Sequence, residues 1–301
     1  MRNKPFTAYA LCFILFTLAA QAKDTRQFVT NSASDSVSMK VSGKTCWTYV
    51  LKSREGKPYF HPLTIPGTDD VLTSFRPPDH TWHLGFWFSW KFINGCNFWE
   101  PDPNGVTRVL SQTVTPGPDK TLRIEATLSY EAKGSEIVRE HRAALVTTQT
   151  NGNYAIAWDS TFTAQGADAV FSSTPSKKDS AGNWASGGYG GLMWRFANSP
   201  AIAYTFSSAS GKTDVQTCGE TNAWLAVVAT AQASGAQAKI TFSDHPENPR
   251  YPTPWFARYS ATAHNNRGYY LVGPSLTFHE PFTLPAGKSA HLRYTVTVER
   301  L

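Results

Sequence analysis

The stretch LRIEATLSY at residues 122–130 alternates apolar and polar side chains along its whole length. Successive side chains of a β-strand point to opposite faces of a sheet, so this alternation predicts a strand with one face in a core and one in water. The same pattern of period two recurs at residues 37–41, 154–162 and 292–298. Half-buried strands of this kind belong to antiparallel sheets, which commonly pack in pairs.

Segments rich in glycine, proline and asparagine separate these strands, as is typical of turns. They are PGPD at 116–119, NGN at 151–153, SGK at 210–212 and PAGK at 285–288. No stretch keeps a helical period over three turns, and no linker divides the chain. We therefore predict an all-β protein in which residues 23–301 form a single large antiparallel β-sandwich with long aromatic and histidine-rich loops. Residues 23–36 are polar, and we expect them to be frayed.

The composition narrows the class of protein. Hydrophobic residues make up 41%, aromatic residues 13% and charged residues only 17% of the 301 residues. A disordered chain would carry more charge and fewer aromatic side chains. The formal net charge is +6, but the basic residues are scattered apart from Lys177 and Lys178. The sequence therefore predicts no nucleic-acid partner.

The first 22 residues have the pattern of a secretory signal peptide. Arg2 and Lys4 precede an apolar segment at residues 8–20, which is shorter than the roughly 20 residues that span a bilayer. Ala20-Gln21-Ala22 is a small-x-small cleavage site. We predict an exported protein, periplasmic or extracellular, that is cleaved after Ala22 and has no stable membrane anchor. An uncleaved anchor is the alternative.

Three cysteines remain after this cleavage, namely Cys46, Cys96 and Cys218. An oxidising compartment permits one disulfide among them, and the sequence does not decide the pairing. The chain has no CxxC spacing, which argues against a thiolate metal site.

A histidine cluster is the first candidate for chemistry. His61, His80 and His83 lie within a segment at residues 58–104 that is rich in aromatic residues and proline and shows little alternation. Asp79 precedes His80, and an adjacent carboxylate can orient an imidazole that transfers protons near neutral pH. We predict that His61, His80 and His83 converge with Asp79 on one pocket, in which His80 or His83 is the proton donor or acceptor and Asp79 orients it. We expect that alanine at either histidine abolishes activity with little loss of stability.

Two interpretations of this cluster stay open. In the first, His61 is a second acid or base, or the three imidazoles together bind a divalent metal with an open coordination position. The sequence has no HExxH motif, and neither the metal nor any other cofactor is identified. In the second, the histidines form hydrogen bonds inside an aromatic core.

Ligand contacts are predicted from aromatic and charged residues in the same regions. Aromatic faces stack on sugar rings, and Trp87 and Trp99 belong to an aromatic run in which most members are expected to be core. Glu100 follows Trp99 directly and adds a carboxylate. The remaining candidates are Arg195 after a glycine-rich segment, His245 and Arg258 in a proline-rich segment, and Glu280. We expect Arg195 and His245 on the wall opposite the histidine cluster, with Arg195 gripping a ligand oxygen.

With these residues in view, the chain resembles a bacterial family named PmoA-like, largely of unknown function. The likeness rests on YFHP at 59–62, PDH at 78–80, HLGFW at 83–87, NFW at 97–99 and GYGGL at 188–192. The resemblance implies a sandwich similar to that of galactose mutarotase and a role in carbohydrate catabolism, with a sugar or glycoside as ligand.

Two classes of function follow. The first is an exported enzyme that acts on a sugar or glycoside by acid-base chemistry from histidine and carboxylate groups, through hydrolysis, β-elimination or isomerisation. The second is a non-catalytic carbohydrate-binding or envelope protein. The sequence does not predict the oligomeric state.

Overall fold

A computed structural model of the protein describes residues 24–263 and 268–301. The predicted signal peptide and its cleavage site lie outside these residues. In the described part of the chain, no helix is long and apolar enough to cross a membrane.

The described residues form 22 strands and two short 3-10 helices, at Pro118–Lys120 and Asp214–Thr217. The strands are β1 Arg26–Asn31, β2 Ser36–Val41, β3 Lys44–Val50, β4 Tyr59–Leu63, β5 Phe86–Ser89, β6 Phe92–Ile93, β7 Cys96–Asn97, β8 Gly105–Pro116, β9 Leu122–Ala132, β10 Ser135–Thr148, β11 Tyr154–Ala164, β12 Ala169–Ser172, β13 Lys177–Lys178, β14 Trp184–Ser186, β15 Gly191–Arg195, β16 Ile202–Ser208, β17 Trp224–Ala231, β18 Gln237–Asp244, β19 Trp255–Ser260, β20 Tyr269–Pro274, β21 Phe282–Leu284 and β22 Ser289–Arg300.

Two eight-stranded sheets dominate the architecture. The first has the order β1-β2-β3-β4-β5-β15-β20-β19, and the second has the order β16-β17-β18-β22-β11-β10-β9-β8. A four-stranded sheet, β21-β12-β6-β7, and the hairpin β13-β14 complete the described residues. Neighbouring strands within both large sheets run antiparallel.

Aromatic side chains join the two large sheets face to face. Trp158 of β11 lies with its ring centroid 6.0 Å from Phe86 and 6.4 Å from Phe88, both on β5. Trp194 of β15 meets Phe242 of β18 at 5.8 Å. The predicted all-β antiparallel sandwich is confirmed.

The alternation seen in the sequence becomes an alternation of burial. Along β9, Leu122, Ile124, Ala126 and Leu128 are buried, and the three residues between them are exposed or half-buried. The core face of β10 also carries a polar pair, since the carboxylate of Glu140 accepts hydrogen bonds from Arg142 Nε at 2.7 Å and Nη2 at 2.9 Å. Both side chains are almost completely buried, which fits a structural role.

The prediction that residues 23–36 are frayed was wrong for residues 26–31, because these pair with β2 as the edge strand β1. Within the aromatic segment at residues 58–104, β4 and β5 lie in the middle of the first sheet. Every residue of β5 is buried, and a strand covered on both faces shows no polar alternation.

Cys46, Cys96 and Cys218 are all buried free thiols.

Candidate functional site

The histidine cluster lies on a loop over the outer face of the first sheet. The His80 N–H donates to the Pro77 carbonyl at 2.9 Å, and the His83 N–H donates to the His80 carbonyl at 3.0 Å. A β-bridge between Phe75 and Leu84 closes the loop. The first and last residues of a turn lie close together, so the rings of His80 and His83 stack with centroids 4.6 Å apart.

Asp79 connects His80 to a buried arginine. Asp79 Oδ2 accepts a hydrogen bond from His80 Nδ1 at 2.7 Å and another from Arg195 Nη2 at 2.6 Å. Arg195 ends β15, and its side chain is 0% exposed. Its guanidinium lies 3.7 Å from the centroid of the Tyr269 ring, in cation–π geometry.

Backbone contacts fix this arginine against the histidine loop. The Arg195 N–H donates to the Gly85 carbonyl at 2.7 Å. Gly85 has a φ of +84°, and a Cβ there would lie 2.6 Å from the Phe60 carbonyl oxygen. Only glycine fits this close approach without strain.

The neighbours of Asp79 keep its carboxyl group ionised. Burial opposes ionisation of Asp79, but the hydrogen bond from His80 and the charge and hydrogen bond of Arg195 outweigh it and lower the pKa of Asp79. An ionised Asp79 accepts a hydrogen bond from His80 Nδ1–H, which leaves Nε2 as the ring nitrogen at which the proton can exchange. This arrangement suits a group that takes up and returns a proton at Nε2.

His83 lies deeper than the sequence predicted. It is 1% exposed, and its ring centroid is 5.1 Å from that of Trp87 and 5.7 Å from that of Trp99. Burial, reinforced by the charge of Arg195, lowers the pKa of His83 well below its usual value. Its Nδ1 has no hydrogen-bond partner among the described residues. The expectation that His83 lies on a surface loop was wrong, and the ring is neutral at physiological pH.

A cavity of about 310 Å³ opens beside this cluster. Aromatic and aliphatic side chains, two imidazoles, one carboxylate and one guanidinium share its surface. The lining residues are His80, His83, Trp99, Glu100, Ala185, Ser186, Gly187, Tyr189, Phe256, Arg258, Ser260, Ala263, Tyr269 and Leu271. Predicted residues Trp99 and Arg258 therefore lie in the same cavity as the two histidines.

The glycine-rich segment forms another part of the cavity wall. Gly188 has a φ of +76°, and a Cβ there would lie 2.7 Å from the Phe278 ring. Ser275 Oγ also donates to the Gly188 carbonyl at 2.6 Å. This tight packing positions Tyr189, whose ring centroid lies 5.3 Å from that of Trp99.

The sequence reasoning missed three aromatic residues of the cavity, Tyr189, Phe256 and Tyr269. Tyr189 interrupts the run of glycines, and a large side chain in such a segment could have been recognised as a candidate. Tyr269 stands at the start of a buried strand, and nothing in the sequence separates it from core residues. Burial raises the pKa of Tyr269 to about 12 although Arg195 acts in the opposite direction, so the phenol is protonated.

His61 does not join the cluster, and this part of the prediction was wrong. Its Nδ1 lies 2.8 Å from Thr73 Oγ1, and its ring stacks on Phe75 with centroids 5.2 Å apart. Burial lowers the pKa of His61 to about 4. Within residues 24–263 and 268–301, no group of three histidine, cysteine or acidic residues is placed to hold a metal ion. The interpretation in which His61, His80 and His83 together bind a metal does not fit the described residues, because His61 lies apart from the other two.

Four other predicted contacts also differ from expectation. Arg195 is not on the opposite wall and cannot grip a ligand, because it lies buried behind Asp79. Trp87 is 0% exposed and packs beneath His83. His245 lies at a separate depression with Arg293 and Tyr294 of the second sheet. Glu280 is 72% exposed and pairs with Arg250 at 3.3 Å.

Comparison with known proteins places the chain in a family without an assigned role. Residues 36–300 match the sequence model described as a family of unknown function (DUF6807), and the chain belongs to this family. No curated protein matches the chain in sequence.

Solved structures give two matches to parts of larger enzymes. The galactosidase domain of alpha-galactosidase-sucrose kinase, AgaSK, matches with 10% identity and a TM-score of 0.44 over 91% of this chain and 42% of that chain. The GH36 alpha-galactosidase AgaA from Geobacillus stearothermophilus matches with 9% identity and a TM-score of 0.45 over 88% of this chain and 40% of that chain. The chain therefore spans less than half the length of either protein.

Proposed function

We propose that this member of the DUF6807 family is an exported enzyme that binds a sugar or glycoside in the cavity and uses His80 as its acid-base group. The observation that carries the proposal is the contact between Asp79 and His80 at the wall of an aromatic cavity, with Arg195 buried behind the carboxylate. The motif resemblance to PmoA-like proteins points to the same class of ligand.

The lining of the cavity suits a carbohydrate. Trp99, Tyr189 and Tyr269 offer ring faces for the apolar side of a sugar, and Arg258 and Glu100 offer a donor and an acceptor for its hydroxyl groups. The volume of about 310 Å³ is at the lower end of the roughly 300–1,000 Å³ of ligand sites, so we expect one sugar ring to occupy it.

The residues behind His80 support proton transfer. When His80 Nε2 takes a proton, the ring becomes a cation, and the ionised Asp79 at Nδ1 stabilises that cation. Arg195 keeps Asp79 ionised and fixes its orientation. Positioned acid-base groups of this type accelerate reactions by roughly 10²–10⁴-fold.

The described lining favours β-elimination or isomerisation over hydrolysis. Hydrolysis by paired carboxylates needs two acidic side chains across one cleft. Glu100 is the one carboxylate among the described residues that line the cavity. The nearby carboxylate of Asp79 is already hydrogen-bonded to His80 and Arg195. Elimination and isomerisation need a base and a nearby cation, and His80 and Arg258 have these properties.

A panel of mono-, di- and trisaccharides of glucose, galactose, mannose and their uronic acids tests the proposal. Binding is measured by calorimetry and turnover by chromatography of the products. We expect His80→Gln to lower turnover at least about 100-fold while the sugar still binds, because Gln cannot relay a proton. The matched control is His291→Gln, which removes a histidine paired with Asp159 outside the cavity.

The outcomes separate the two classes of function. Turnover that depends on His80 and not on His291 supports the enzyme. Tight binding without turnover by the wild-type protein supports the non-catalytic carbohydrate-binding protein instead. Equal turnover by His80→Gln and the wild type, or no binding to any sugar of the panel, contradicts the proposal.

A further inference from the structure

We propose that the ligand is an oligosaccharide that spans two adjacent cavities, with Glu100 contacting it at the junction. This inference rests on the proposed function and adds a second subsite and a minimum ligand length to it. The structural basis is that Glu100 lines both the cavity of His80 and a second, larger cavity.

The second cavity has a volume of about 880 Å³. Three segments form its walls: residues 52–57, residues 98–103 and residues 105–109 of β8. Its lining combines apolar side chains with charges of both signs, because Lys52, Arg54 and Arg108 face it together with Glu55 and Asp102, in addition to the shared Glu100. A surface with many donors and acceptors suits the hydroxyl groups of further sugar rings.

Glu100 is held in a defined position between the cavities. Its Oε2 accepts a hydrogen bond from Asn97 Nδ2 at 2.7 Å and is paired with the ammonium group of the buried Lys91. Asn97 Oδ1 in turn accepts the backbone N–H groups of Trp99, at 2.9 Å, and of Glu100, at 3.3 Å.

These contacts leave Glu100 charged and able to bind a ligand. Burial opposes ionisation, but the hydrogen bonds from Lys91 and Asn97 and the charge of Lys91 lower the pKa of Glu100. Both side-chain hydrogen bonds end on Oε2, and no side chain of the described residues donates to Oε1. Oε1 can therefore accept hydrogen bonds from sugar hydroxyls on either side of the junction.

A buried lysine stiffens the wall that separates the two cavities. Lys57 is 6% exposed, and its Nζ donates to the carbonyl oxygens of Phe98 at 2.5 Å and Trp99 at 3.1 Å. These two hydrogen bonds hold the backbone that carries Trp99 and Glu100 in place. A fixed wall sets a fixed spacing between the subsites, which favours a ligand with a defined distance between its rings.

The experiment fills the second cavity and leaves the first unchanged. Val106→Trp places a large ring in the second cavity from a half-buried position on β8, which is the edge strand of its sheet. The matched control is Leu110→Trp on the same strand, since Leu110 is 50% exposed and lines neither cavity. Pro103→Trp, at an exposed position that also lines the second cavity, is the second filling variant if Val106→Trp does not fold.

Binding of the same sugar panel is measured as a function of ligand length. For the preferred sugar, we expect the wild type to bind the trisaccharide at least 10-fold more tightly than the monosaccharide. We expect Val106→Trp to remove most of that gain without weakening the monosaccharide, and Leu110→Trp to change neither affinity. Glu100→Gln should weaken both ligands, because Glu100 lines both cavities. Uronic and neutral members of the panel show which sugar the second subsite takes.

Failure of this inference can be told apart from failure of the proposed function. If the monosaccharide binds as tightly as the trisaccharide, or if both filling variants leave the length dependence intact, the second subsite is refuted and the first cavity remains. If no sugar of any length binds, both proposals fall.

Discussion

Replacing Asp79 by Asn tests whether Arg195 is a buried counter-ion. The change keeps the shape of the side chain and removes its charge, so the fully buried guanidinium of Arg195 loses the carboxylate 2.6 Å away. Removing one partner of a buried ion pair typically costs about 3–5 kcal/mol. The Asp79 side chain is 12% exposed, so water can reach the site, and we expect the lower end of that range, about 3 kcal/mol.

The double variant Asp79→Asn with Arg195→Met separates the charge from the packing. It removes both charges, and Met keeps an apolar contact with the Tyr269 ring. We expect it to recover at least half of the stability that Asp79→Asn loses, because no uncompensated charge remains buried. It should not recover activity, since His80 would still lack its carboxylate.

Urea denaturation measures the free energy of unfolding of the wild type, both single variants and the double variant. Arg123→Met is the control, because Arg123 pairs with Glu125 on the surface, where such pairs contribute at most about 1 kcal/mol. A loss below about 1 kcal/mol for Asp79→Asn would refute the reasoning. The reasoning would also be refuted if the double variant lost more stability than the sum of the losses of the two single variants.

Three further predictions concern individual contacts, and a fourth concerns the cleavage predicted from the N-terminal sequence. His61→Asn should flatten the pH dependence of stability. The pKa of His61 is about 4 in the folded protein and about 6.5 in the unfolded chain, so the wild type loses stability as the pH drops from 6.5 to 4, by at most about 3 kcal/mol. Urea titrations from pH 4 to 7 measure this slope. His83→Ala should lower the free energy of unfolding by about 2–4 kcal/mol and His83→Phe by less than about 1.5 kcal/mol, because the ring fills space between two tryptophans. Equal losses for the two variants would contradict this packing. Gly188→Ala should destabilise more than Gly211→Ala, because both have positive φ but only Gly188 is close to another ring; thermal melts of the two variants decide this. N-terminal sequencing of the exported protein should begin at Lys23, and a chain starting at Met1 in the membrane fraction would overturn the predicted cleavage.

The sequence predicted the strands where one face is buried and the other exposed. Residues 122–130 and 154–162 lie within β9 and β11, since alternation is visible wherever a sheet has one wet face. Alternation gives no signal for β5, because its residues are buried on both faces by the second sheet and by the histidine loop. Local patterns identify half-buried strands, and strands covered on both sides have no such signature.

In the candidate site, likewise, contacts between residues close in sequence could be predicted and contacts between distant residues could not. The proximity of Asp79, His80 and His83 could be predicted, because all three belong to one pair of turns. The pairing of Asp79 with Arg195 joins residues 116 positions apart, and it depends on the order of strands in the sheet. His61 is near in sequence, but its hydrogen bond to Thr73 and its stacking on Phe75 hold it outside the cavity, and no sequence pattern encodes those contacts.

A crystal structure of the protein with the tightest-binding sugar of the panel is the most direct test of the central claim that His80 acts on a bound carbohydrate. We predict a sugar ring between Trp99, Tyr189 and Tyr269, with a reacting hydroxyl or C–H group within about 3.2 Å of His80 Nε2, or one water molecule away. A sugar that binds elsewhere on the surface, or in the cavity with His80 out of reach of any exchangeable proton, would contradict it.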